Sequence, residues 1–243
     1  MDTIKIEKGS VRMVAHRGVS GLELENTCAA FLAAGNRSYW GIETDVHRTA
    51  DGKFLLIHDS TTGRVSPEDI CVEENDFATL RSLPMGKGDL PLGYLQIPTL
   101  EEYLDICKRY GKLAVLELKD LPDADETVPQ IVAVCKERYG LENMVFIAFR
   151  FQNLVRVKKA APEACCQYLL SEDIDLLERT DLVEKMVALG ADVDIHHRAL
   201  TEKHIAFLHE QGLKVNCWTV NDPERAKELI SWGVDYITTN ILE

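Results

Sequence analysis

Three carboxylates and two imidazoles stand in or at the ends of short apolar runs of this 243-residue chain. Glu43 and Asp45 are two residues apart, so a strand places them on one side. Glu117 lies near the end of another run and shares a face with Lys119. Together Glu43, Asp45 and Glu117 make an all-oxygen cluster, the set that hard cations such as Mg²⁺ or Ca²⁺ prefer. Zn²⁺ calls for His or Cys, and the seven cysteines (28, 71, 107, 135, 165, 166, 217) have no ligand spacing. Taken singly, each carboxylate is equally a strand-end cap or a partner of Lys119 or Arg17. Three converging without a cation would repel one another. His16 and His58 each end an apolar run, and two imidazoles flanking a phosphoryl group divide general base and general acid between them near neutral pH. Arg17 offers a planar fork for phosphate and Lys119 a point charge. The set is coherent for cleavage of a phosphodiester, whose transition state gathers negative charge.

These residues need elements to hold them. Apolar runs at 11–15, 42–46, 54–57, 113–118, 145–149, 165–170, 193–196, 215–219 and 236–238 predict strands. Amphipathic patterns at 27–34, 100–109, 126–138, 151–160, 175–189, 202–211 and 223–231 predict helices between them, and that alternation implies a parallel sheet. Thr99 with Glu102 forms a capping box, Thr201 and Asp222-Pro223 suit helix starts, and glycines 111, 140, 190, 212 and 233 follow helical patterns. Runs 42–46 and 54–57 are too close for a helix, and Asp51-Gly52 predicts a two-residue hairpin turn that sets Asp45 opposite His58. Without that return strand, eight parallel strands remain. Eight in ~250 residues predicts an α/β fold, a TIM (β/α)8 barrel with its chemistry at the C-terminal strand ends. Residues 60–98 fit no barrel unit: Pro67, Pro84, Pro91 and Pro98 interrupt them, with one short helix expected near 76–83. They read as a loop-rich insertion over the active face of a single domain spanning 1–243.

Charge narrows the partners. With 27 Lys and Arg against 40 Asp and Glu, the formal charge is −13, which argues against nucleic acid and anionic membrane surfaces as partners. A small phosphate ester in a local metal site stays open, because net charge is silent about one pocket. No run approaches the roughly 18 apolar residues of a membrane-spanning helix, and residues 1–12 lack the apolar core of a signal peptide. The odd cysteine count without Cys-x-x-Cys suits reduced thiols in the cytoplasm.

The motifs Val14-Ala15-His16-Arg17-Gly18, Glu25-Asn26-Thr27, Glu43-Thr44-Asp45-Val46-His47-Arg48-Thr49-Ala50-Asp51-Gly52 and Ile57-His58-Asp59 resemble the glycerophosphodiester phosphodiesterase family. The likeness continues through Pro98-Thr99-Leu100-Glu101-Glu102, Leu116-Glu117-Leu118-Lys119 and Trp218-Thr219-Val220-Asn221, in the family's order. It implies a TIM barrel that uses a divalent cation, Mg²⁺ or Ca²⁺, to hydrolyse small glycerophosphodiesters to glycerol 3-phosphate and an alcohol. By position, the family's catalytic histidines match His16 and His58, and its metal carboxylates match Glu43, Asp45 and Glu117. Its phosphate-contacting residues match Arg17 and Lys119. Trp218 matches an aromatic near the substrate, though core packing accounts for it as well. Asn26 or Thr27 is equally an orienter of the first loop and a helix N-cap.

Three positions depart from the family pattern: Leu24 for Pro, Ala148-Phe149 for Ser-Phe and Thr239-Asn240 for Thr-Asp. They bear on the alcohol, not on the reaction class. A second grouping, Asp192, Asp194 and His196-His197, reads as a hydrated strand end, while His204 and His209 read as solvated helix residues and His47 has no assigned role. Two other functions compete. A lysophospholipase D-type enzyme would need an apolar groove from residues 60–98, and a non-catalytic acidic barrel has no need of the full residue set.

Overall fold

Val14 and Ala15 pair in parallel with Gly41 and Ile42 on one side, and with Thr238 and Thr239 on the other. That double pairing closes the sheet. In the computed structural model, which describes residues 2–86 and 95–243, the strands are β1 (Arg12–Ala15), β2 (Gly41–Arg48), β3 (Phe54–Leu56), β4 (Leu113–Leu118), β5 (Met144–Ala148), β6 (Cys165–Leu170), β7 (Asp192–His196), β8 (Val215–Trp218) and β9 (Tyr236–Thr239). The ring runs β1-β9-β8-β7-β6-β5-β4-β2 with every pair parallel, and β3 lies antiparallel on β2. This is the expected TIM-type barrel.

The helices are α1 (Cys28–Gly35), α2 (Phe77–Ser82), α3 (Leu100–Tyr110), α4 (Ala124–Arg138), α5 (Phe151–Ala160), α6 (Thr180–Leu189), α7 (Glu202–Glu210) and α8 (Pro223–Ser231). The period of two sorts each strand between two cores. Ile42, Leu116 and Phe146 join Phe31, Tyr103 and Leu104 of the helices in the main cluster, while Val14, Val115, Val145, Ile147 and Leu169 form a separate cluster. Alternation from Val115 through Leu116 carries Glu117 to the same face as Val115. Helix ends follow the sequence chemistry: Thr99 and Glu102 form the capping box at α3, and Gly111 and Gly190 stop α3 and α6 in left-handed conformation. Helix α6 begins five residues later than the pattern at 175–189 suggests, because the Asp175 carboxylate accepts from the Leu177 backbone N–H and holds a turn there.

The hairpin differs by one residue. Val46 faces Leu56 and Arg48 faces Phe54, and the Ile57 N–H donates to the Asp45 carbonyl at 3.1 Å, so Ile57 rather than His58 stands opposite Asp45. The loop has three residues, 50–52, because the Thr49 hydroxyl accepts from the Lys53 N–H at 2.9 Å and donates to Asp51 at 2.6 Å. Gly52, at φ 80°, supplies the left-handed position that such a loop needs. Strand β3 ends at Leu56 and the chain bends at 58–60, which returns His58 to the barrel mouth by another route.

Within the insertion, Val65, Val72, Leu80, Leu83, Met85 and Ile97 pack on Leu55 and Ile57 as a second cluster. The expected short helix is α2. Gly88, Leu90, Pro91, Leu92 and Gly93 lie outside the described residues.

Candidate active site

Glu43 and Asp45 project from β2, and β4 sets Glu117 beside Asp45 in register. All three are buried, and one oxygen from each lies within 4.8 Å of the others. Two cations and an amide meet them. Lys119 Nζ lies 2.7 Å from Glu117 and 2.9 Å from Asp45 Oδ1, the latter an ion pair without hydrogen-bond alignment. The Arg17 backbone N–H donates to Glu43 at 2.8 Å, Arg17 Nε lies 3.6 Å from Asp45, and the Asn26 amide donates to Asp45 at 2.7 Å. Burial, then the charge of Asp45, pushes the Glu43 carboxyl well above the usual range and that of Glu117 up to about 7. Burial works the same way on Asp45, but Lys119 and Arg17 outweigh it and hold Asp45 ionised. Two buried carboxyls driven toward protonation by a third, with oxygens this close, make a donor set whose repulsion a divalent cation relieves.

The imidazoles stand at the rim of this cluster. His16 follows β1, with Nε2 4.0 Å from Glu43 and Nδ1 2.7 Å from the side-chain oxygen of Asn240. His58 Nδ1 lies 2.6 Å from Asp59. In both rings a polar oxygen holds Nδ1, so a proton there leaves Nε2 as an acceptor. Burial, then the Arg17 charge, lowers His16 to about 4, and burial also lowers His58. Behind them runs a charge relay of position. Arg64 pairs with Asp59 and, at 2.6 and 2.7 Å, with both oxygens of Glu25, which also accepts from Arg17 at 2.9 Å.

His16, Arg17, Glu43, His58 and Glu117 line a cavity of about 140 Å³, walled by Ile147, Phe149, Leu169 and Trp218. Phe149 meets Trp218 edge to face at 5.6 Å. A groove of about 270 Å³ adjoins it, reached by His58, Lys119, His47 and Arg150. The larger cleft of about 370 Å³ around Lys8, Arg12 and Tyr236 opens at the opposite, N-terminal strand ends and holds none of these groups.

A sequence model of the glycerophosphoryl diester phosphodiesterase family matches residues 16–243. The chain belongs to that family. A glycerophosphodiester phosphodiesterase of Caldanaerobacter subterraneus subsp. tengcongensis is 30% identical over 94% of this chain and 93% of its own length. One from Bacillus subtilis is 29% identical, over 93% of this chain and 82% of its own. In three dimensions the chain is similar to an Oleispira antarctica phosphodiesterase solved in complex with the product sn-glycerol-3-phosphate, at TM-score 0.85 and 27% identity over 94% and 92% of the two chains.

Among the residues the family resemblance singles out, His16, Arg17, Glu43, His58, Glu117 and Trp218 reach one cavity, with Asp45 and Lys119 in contact with it through the carboxylates. Asn26 and Thr27 divide the two roles left open: Thr27 caps α1, and Asn26 bonds Asp45 and Thr44. Other readings change. His204 is buried, bonded to Thr201 and Asp175, because its ring completes the capping box of α7. Asp194 is not hydrated but buried against the cavity, and His196 packs edge to face on Trp218 at 5.1 Å. Arg64 and Asn240 escape a reading by strand ends, since Asn240 meets His16 from a loop and Arg64 reaches His58 only through Asp59. Adjacency to His58 is the signal for Asp59. For Asn240 the family pattern marks the position, and only the closed ring beside β9 shows that it faces His16.

Proposed function

We propose that this protein hydrolyses small glycerophosphodiesters to glycerol 3-phosphate and an alcohol, with a divalent cation, Mg²⁺ or Ca²⁺, held by Glu43, Asp45 and Glu117. The observation that carries this reading is the convergence of three buried carboxylates beside two imidazoles whose Nδ1 atoms are already held. The product named with the Oleispira antarctica structure supports the substrate class. Bound at the carboxylates, the cation supplies Lewis-acid withdrawal of charge from the phosphate. Arg17 and Lys119 orient the phosphate and stabilise the negative charge that grows on it. One of His16 and His58 accepts the proton of the attacking hydroxyl at Nε2 and the other protonates the leaving alkoxide. Attack by water and attack by the glycerol 2-hydroxyl both need this pair. Trp218 and Phe149 form an aromatic wall of the cavity. Buried thiols at Cys107, Cys135, Cys166 and Cys217 fit a cytoplasmic setting, and among the described residues no helix is long and apolar enough to cross a membrane.

The lysophospholipid reading loses support, because Leu80, Leu83 and Met85, three of the insertion's apolar residues it would draw on, are consumed in the cluster on Leu55 and Ile57, and Ile70, Phe77 and Leu95 pack against it. Alcohol release from a glycerophosphodiester, measured with and without chelator for the wild type, His16→Ala and His58→Ala, tests the proposal. Chelator abolishes activity and each substitution lowers kcat by about 10²–10⁴; activity indifferent to all three would refute it.

A further inference from the structure

Asp194 has no role in the chemistry above. It projects from β7 into the cavity that His16, His58 and Trp218 line, it is 1% exposed, and its Oδ1 has no hydrogen-bond partner among the described residues. Its polar neighbours serve one another. Asn216, its register partner on β8, donates to Gln167 at 3.0 Å and accepts from Thr238 at 3.2 Å. A buried polar group left without a partner destabilises the fold, and so demands an explanation. Burial, then the nearby Glu117, pushes its pKa well above the carboxylate range. Its unpaired Oδ1 is free to accept a hydrogen bond from whatever enters the cavity. A hydroxyl, which has one O–H to donate, is the complement of that oxygen. Asp194 stands outside the cluster of Glu43, Asp45 and Glu117 that is suited to a cation.

We propose that Asp194 is a specificity residue that binds a hydroxyl of the substrate's glyceryl group, selecting a glyceryl over a bare alkyl phosphoester. This rests on the proposed function. The cavity suits the glyceryl end: it is small, about 140 Å³, and the apolar side chains of Ile147 and Leu169 face its carbon chain. The adjoining groove suits the variable alcohol, because its Asp120 and Arg150 side chains are 69% and 66% exposed.

Calorimetric titration of the full chain in the presence of Mg²⁺ or Ca²⁺, with glycerol 3-phosphate and n-propyl phosphate as probes, tests the assignment. The wild type binds glycerol 3-phosphate at least tenfold more tightly. Asp194→Leu brings the two affinities within about twofold, and Asp194→Asn, which keeps an acceptor oxygen, retains most of the preference. Thermal unfolding separates a binding role from a structural one: Asp194→Leu melts no lower than the wild type, since it removes an unpaired buried carboxyl. Undiminished discrimination in Asp194→Leu, equal weakening toward both probes, or unfolding of both Asp194→Leu and Asp194→Ala would overturn the assignment while leaving the proposed function standing. A wild type that neither binds glycerol 3-phosphate nor cleaves glycerophosphodiesters would remove both.

Discussion

His16 and His58 differ in what stands behind them. A neutral amide oxygen, that of Asn240, faces Nδ1 of His16, whereas the carboxylate of Asp59 faces Nδ1 of His58 and is itself held by Arg64. Asp59→Asn leaves the Glu43, Asp45 and Glu117 cluster intact but offers one acceptor oxygen to two donors, Arg64 and His58, so the Nδ1–H tautomer of His58 is no longer secured. The expected outcome is a fall in kcat of at least about tenfold with KM little changed, read from steady-state kinetics. Proton linkage gives a second residue-scale prediction, for the cation-free protein. His16 is depressed to about 4 from its ordinary 6.5. The unfolded chain therefore binds the proton first, and stability falls as pH drops from 6.5 toward 4, by up to about 1.4 kcal/mol per pH unit. Glu117, raised from 4.5 to about 7, has the opposite sign: its contribution is full below 4.5 and is lost as pH rises toward 7. In urea unfolding across that window, His16→Gln should be less acid-sensitive than the wild type and Glu117→Gln less sensitive to rising pH.

At the scale of the element, the β1–α1 loop does the most with the least room. Arg17 takes a left-handed φ of 53°, which turns its N–H to Glu43, and Gly18 follows at φ 75° with its N–H on the Glu43 carbonyl. A Cβ on Gly18 would lie 2.6 Å from the Ala30 backbone in α1. Gly18→Ala should lower stability by about 2–4 kcal/mol, measured by denaturant unfolding, because left-handed strain adds to overpacking. Thr99→Ala, which removes one half of the α3 capping box, should lower it by only about 0.5–2 kcal/mol and leave activity unchanged. The capping box was legible because its two residues are three apart on one helix. The hairpin register was not, because Thr49 and Asp51 add a local hydrogen-bond pair that favours a three-residue loop over the two-residue turn Asp51-Gly52 suggests.

The whole molecule carries its −13 charge unevenly, and part of it is concentrated where the barrel closes. A cation that binds only the folded state stabilises it by mass action, about 2.7 kcal/mol at a hundred times its Kd. Mg²⁺ or Ca²⁺ should therefore raise the Tm of the wild type. Glu43→Gln should abolish that rise and yet melt higher than the wild type in chelator, because it removes a carboxyl that Asp45 and Glu117 repel. Calorimetric scans with and without chelator read both effects.

Local chemistry by itself determined the alternation of strands and helices, the helix caps, the hairpin's existence and the parity that places Glu43 with Asp45 and Glu117 with Lys119. Those depend on neighbours within a few residues, which the chain states directly. Only the closed ring decided that Asn240 meets His16 from 224 positions away, that Arg64 ties Glu25 to Asp59, and that Asp194 is buried beside the cavity instead of standing at an exposed strand end. Such contacts are set by shear and closure of eight strands, a property of the whole barrel that no single run of residues contains.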